Sequence, residues 1–132
     1  MDQGEGGDQT SRFDMLAASI RADASDLGTF MDALALKLES ALPGMVRVER
    51  EGLPFKKERR VKRIRIQIED KLFEVYKSAT GLEARLSHQV RGITLKNELL
   101  HLNSWISELS QHLARHAESS AEAHAAMQKL IT

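Results

Sequence analysis

The chain has 132 residues, with 19 basic and 19 acidic side chains and no cysteine. That length suits one domain, and a net charge of zero gives no overall pull toward nucleic acid or membrane. The lack of cysteine excludes disulfides, thiolate catalysis and cysteine-ligated zinc.

Charge is laid out in blocks, net −5 over residues 1–44, +6 over 45–101 and −1 over 102–132. Residues 1–10 are acidic and glycine-rich and read as a flexible tail, with residues 11–132 as a single α+β domain. The tail has no apolar core of the kind a signal peptide needs, and no apolar run approaches the roughly 20 residues of a membrane span. A soluble, cytoplasmic protein without a transmembrane segment is expected.

Phe13, Leu16, Ile20, Leu27, Met31, Leu34 and Leu38 recur at helical spacing. They predict a long N-terminal helix from about residue 11 to 42, with Gly28 as the candidate break. Pro43 and Gly44 end it. The period then changes to two. Val46 and Val48, Ile64 to Ile68, Phe73 and Val75, and Leu82 to Leu86 alternate with polar residues. The pattern predicts a four-stranded antiparallel meander with one face buried. Gly92 reads as a bulge in the last extended stretch, after which Ile93 and Leu95 turn inward. Asn103 is the expected cap of a long C-terminal helix, free of Gly and Pro to the end, with Trp105 anchoring it to the sheet.

Two unbroken helices of this kind would be about 48 and 43 Å long, against about 26 Å for an eight-residue strand. Their apolar stripes would overhang the sheet, so a homodimer built through helices is expected. Leu27, Met31, Leu34, Leu109, Leu113, His116 and Met127 are its candidate interface.

Residues 56–65 hold seven bases and one acid. With the three isoleucines of this region facing the helices, Arg63 and Arg65 face the other way. Arg47, Arg85 and Arg91 join them from neighbouring strands, and Lys56, Lys57, Arg59, Arg60 and Lys62 come from the loop and the strand start. Such a face is either the solvated side of an antiparallel sheet or a surface for an anionic partner. The expected function is that of a non-enzymatic interaction module, an adaptor- or chaperone-like homodimer that presents this basic sheet-and-loop surface to an acidic protein. The alternative is binding of an anionic polymer or anionic membrane surface through residues 56–65. The acids of the first helix, Asp14, Asp23, Asp26, Asp32 and Glu39, are a nearer counterpart for these bases, within a dimer or a larger assembly.

The order helix, strands, helix is similar to that of the double-stranded-RNA-binding domain. In that family the last helix presents a lysine cluster at its N-terminus. Here the matching stretch, Asn103-Ser104-Trp105-Ile106-Ser107-Glu108, has no base, and Tyr76 is the lone candidate for base stacking. Nucleic acid is therefore not the expected partner. His112 and His116 share a helix face but lack a third ligand, and no glycine-rich phosphate loop or nucleophile motif occurs. No metal, cofactor or catalytic residue is expected.

Overall fold

The structure, a computed structural model, describes residues 4–23, 26–52, 60–79 and 81–132. Helices α1 (Gly4–Asp23) and α2 (Leu27–Ala41) are followed by strands β1 (Val46–Arg50), β2 (Val61–Ile68), β3 (Lys71–Ser78), β4 (Gly81–Val90) and β5 (Ile93–Leu100). Helices α3 (Leu102–Ala117) and α4 (Ala121–Ile131) complete the chain. The strands form one antiparallel sheet in sequential order, β1 to β5. The α+β class and the antiparallel meander agree with the sequence reading, but among the described residues there are five strands rather than four, and four helices rather than two.

Each difference has a local cause. The N-terminal helix starts at Gly4, inside the segment read as a tail, and gives way to α2 by capping rather than at Gly28. Asp26 is extended, and its carboxylate accepts the N–H of Thr29 at 2.7 Å, the usual satisfaction of an orphan helix donor. Gly28 lies inside α2, where a Cβ would collide with the Arg60 guanidinium. The C-terminal helix breaks at Glu118–Ser120 without Gly or Pro. Ser119 Oγ donates to the His116 carbonyl at 2.6 Å, and Ser120 Oγ accepts from Ala123 N–H at 3.0 Å. Serine hydroxyls that compete for backbone groups suffice to end one helix and cap the next. Residue 101, not Asn103, occupies the cap position of α3.

Gly92 is not a bulge. Arg91 and Gly92 have φ of 54° and 81°, the pair of left-handed residues that closes a two-residue hairpin. The bulge lies three residues on, where the register slips and Leu95 has no partner on β4. A second slip between Glu49 and Arg50 leaves Lys62 unmatched on β1.

The helices cover one face of the sheet. Ile64, Ile66, Phe73, Val75, Ala84 and Leu86 meet them there, all buried. Trp105 anchors α3 as expected. Its ring sits edge-on to Phe73 with centroids 6.1 Å apart, and its Nε1–H donates to the Arg85 carbonyl at 3.2 Å. Ser110, buried between α3 and α1, places its hydroxyl 2.7 Å from both Asp14 Oδ1 and the Ile106 carbonyl. β5 lies beyond this cover. Ile93 and Leu95, expected to turn inward, are 63% and 61% exposed.

The length mismatch that suggested a helical dimer is smaller. With both long helices split, α1, α2 and α3 are about 30, 22 and 24 Å long, against about 26 Å for an eight-residue strand. Met31, Leu34, Leu109, Leu113 and Met127 are buried within the one chain. Leu27 and His116 are half-buried.

Candidate functional site on the open face of the sheet

The face turned away from the helices is polar by alternation. Hairpin register aligns Arg47, Arg65, Glu74, Arg85 and Leu99 in one row across all five strands, with Glu49, Arg63, Tyr76 and Glu83 in the next. Two-residue connections fix that register from β2 to β5, and a longer one joins β1 to β2, so acids and bases far apart in sequence become cross-strand neighbours.

Glu74 is the centre of the array. It is only 9% exposed, and its Oε2 accepts from Arg63 Nη1 and Arg65 Nε, both at 2.9 Å. Arg65 also lies 3.6 Å from Glu49. The Arg63 guanidinium sits 4.5 Å from the centroid of the Tyr76 ring, a cation–π contact. The Tyr76 hydroxyl donates to Glu83 Oε1 at 2.6 Å and accepts from Arg85 Nη2 at 3.3 Å. Arg85 Nη1 donates to Asn97 Oδ1 at 2.6 Å. The hydrogen bond to Tyr76 is the main cause that raises the Arg85 pKa, with the nearby glutamates adding to it.

This lattice changes the charge expected of the face. Arg63, Arg65 and Arg85 are engaged side by side with Glu49, Glu74, Tyr76 and Glu83, so the sheet is close to balanced rather than broadly basic. Arg47 is different. Its side chain is exposed and has no hydrogen bond or ion pair among the described residues. With Arg65 it lines a groove of about 440 Å³, completed by Gly44, Met45, Gln67 and Leu72.

The other expected site residues are scattered. Arg91 is in the β4–β5 turn at the end of the sheet, exposed. Lys62 is exposed at the β2 slip. Arg60 turns to α2, with Nε 2.8 Å from Asp32 and Nη2 3.4 Å from Asp26. Lys56, Lys57 and Arg59 lie outside the described residues.

Three of the acids expected on the first helix, Asp26, Asp32 and Glu39, find basic counterparts within the same chain. Asp32 accepts the Val61 N–H at 2.8 Å as well as Arg60. Glu39 pairs with Arg50 at 2.8 Å, which raises the Arg50 pKa chiefly through that hydrogen bond. The N–H of Thr29 does most to hold the Asp26 carboxyl below its ordinary range, with Arg60 adding to it. Arg60 of the basic run thus meets α2 and its cap within one chain.

Sequence reading picked the arginines and missed their partners. Glu49, Glu74, Glu83 and Asn97 are visible only once strand pairing is set. Short connections at Glu69-Asp70 and after Ser78 would have placed Glu74 between Arg65 and Arg85.

The histidines form no site. His112 Nδ1 lies 2.9 Å from the Glu108 carbonyl, and its ring meets Phe73 edge-on. His116 Nδ1 is buried with no hydrogen-bond partner among the described residues. Among those residues no group of three or more His, Cys, Asp or Glu is placed to hold a metal ion, and no helix is long and apolar enough to cross a membrane.

No protein-family model, curated protein or solved structure matches this chain.

Proposed function

We propose that the protein is a non-enzymatic interaction module, an adaptor- or chaperone-like cytoplasmic homodimer, that offers the open sheet face to an acidic segment of a protein partner. The observation that carries this reading is Arg47. It is an exposed guanidinium without a counter-ion among the described residues, set beside Arg65 in a groove. An incoming carboxylate gains two charged donors there. Around the groove, the lattice holds Arg63, Arg65 and Tyr76 in fixed positions, so a ligand need not order them on binding. Lys56, Lys57 and Arg59 add positive charge to the same stretch of sequence.

Titration with a fluorescent oligoglutamate peptide tests this. Arg47→Glu is expected to weaken binding at least about tenfold, because it turns an attraction into a repulsion at the groove. Unchanged affinity would sink the reading. A single-stranded oligonucleotide in the same assay addresses the alternative. Tighter binding to it than to the peptide, with a steep salt slope, would shift the assignment to an anionic polymer gripped by residues 56–65.

A further inference from the structure

β5 is the weak point of the sheet as an isolated chain. It is eight residues long and exposed from Ile93 to Leu99, and among the described residues no helix packs over it. Four of the six large apolar side chains exposed among the described residues, Val90, Ile93, Leu95 and Leu99, belong to the β4–β5 hairpin. The other edge, β1, is only five residues long and carries Arg47. Proteins blunt a free edge with charge, proline or brevity. β1 follows that rule, while β5, though it carries Lys96, Glu98 and the bulge at Leu95, combines length with exposed leucine and isoleucine.

The backbone of β5 is aligned for pairing. Gln89 N–H donates to the Asp70 carbonyl, so the odd-numbered residues of β4 serve β3. Its even-numbered residues, Ala84, Leu86 and His88, therefore serve their β5 partners Leu100, Glu98 and Lys96. By alternation, Asn97 and Leu99 turn their N–H and C=O groups to the open edge.

We infer that this edge pairs with β5 of a second copy of the chain, antiparallel and centred on Asn97, joining two five-stranded sheets into one. The occupant follows from charge. The strand reads Lys96-Asn97-Glu98, so a twofold axis at Asn97 sets Lys96 of each copy opposite Glu98 of the other. Two ion pairs form in directly opposed, closely spaced positions. The same register brings Leu95 to Leu99 of the second copy on both sides of the axis. An axis moved by one residue, a register shift of two, sets Lys96 against Lys96 or Glu98 against Glu98. Asn97 is already fixed, its amide oxygen held by Arg85. The inference deepens the homodimer part of the proposed function and moves its interface from the helices to the sheet edge.

The test is light scattering from micromolar to millimolar protein, on the wild-type chain, Lys96→Glu, Glu98→Lys and the double swap. The expected result is a wild-type dimer, weakened about tenfold or more by either single reversal and restored by the double swap. A monomer at every concentration overturns the inference, as does a dimer indifferent to Lys96→Glu or a double swap that stays dissociated. Hydrogen exchange on the wild-type chain gives a readout free of variants. Protection of the Asn97 and Leu99 amides must rise with concentration, and absence of that rise overturns the pairing. Oligoglutamate binding by Lys96→Glu and self-association by Arg47→Glu keep the two proposals separable, since each variant leaves the other's groups intact.

Discussion

Replacing Glu74 with Gln removes the one negative charge shared by Arg63 and Arg65 while keeping the shape of the side chain. The Arg63 contact is the stronger, since both partners are largely covered, at 27% and 11% side-chain exposure. A charge-assisted hydrogen bond in such a setting contributes about 1.5–3 kcal/mol. Arg65 is 43% exposed and has Glu49 as a second acid, so solvent screening reduces its share to about 0.2–1 kcal/mol. Gln still offers one acceptor oxygen and recovers part of the loss. The expected cost is about 2 kcal/mol, or roughly 6 °C in melting temperature for a domain of this size. Urea unfolding followed by Trp105 fluorescence measures it, with a lower midpoint and an unchanged slope. The same change adds one unit of positive charge to the face, so oligoglutamate should bind more tightly while the fold weakens. A loss under about 0.5 kcal/mol, or weaker oligoglutamate binding, would refute the view that Glu74 both holds and neutralises this surface.

Other consequences follow from contacts already described. Trp105→Ala should cost about 3–5 kcal/mol, since it empties a fully buried site beside Phe73, and loss of cooperative thermal unfolding by circular dichroism checks it. Ser110→Ala should cost about 1 kcal/mol and raise hydrogen exchange in α1 more than in the sheet, because the lost bond ties α1 to α3. The Asp26 carboxyl has its pKa lowered in the fold, first by the Thr29 N–H. Its contribution is therefore complete above the ordinary value of 3.8 and fades as pH falls through the lower folded value. An NMR titration of the Thr29 amide should show that inflection below the ordinary value, and Asp26→Asn should abolish it while keeping the cap.

The sheet was legible because alternation of isoleucine and valine with charged residues has one physical cause, a single buried face. The fifth strand was hidden because its turn is Arg91-Gly92, and arginine is not a residue that announces a left-handed conformation. The helix breaks were hidden for a similar reason. Gly28 drew attention, yet a capping aspartate and a pair of serines did the work through side-chain hydrogen bonds. The basic run misled more deeply. Read along the chain, residues 56–65 look uncompensated. Across the strands, Arg63 and Arg65 are two members of a lattice whose acids come from β1, β3 and β4. Charge in a sheet is a two-dimensional property, and a linear count misses it until register is known.

The bond between Asp14 and Ser110 spans 96 positions, and it bears on how the chain leaves the ribosome. The meander joins nearest neighbours, so each hairpin can close soon after its second strand emerges. α1 meets α2 locally, with the Arg21 guanidinium over the Phe30 ring, but most of its packing is on α3, which is made some 80 residues later. At roughly 5–20 residues per second, α1 waits on the order of 5–20 s for that surface. Through this interval the apolar stripe of Phe13, Leu16 and Ala17 lacks its main cover. Docking of α1 on α3 then closes a loop of this length, and the entropy of that closure favours docking late in folding.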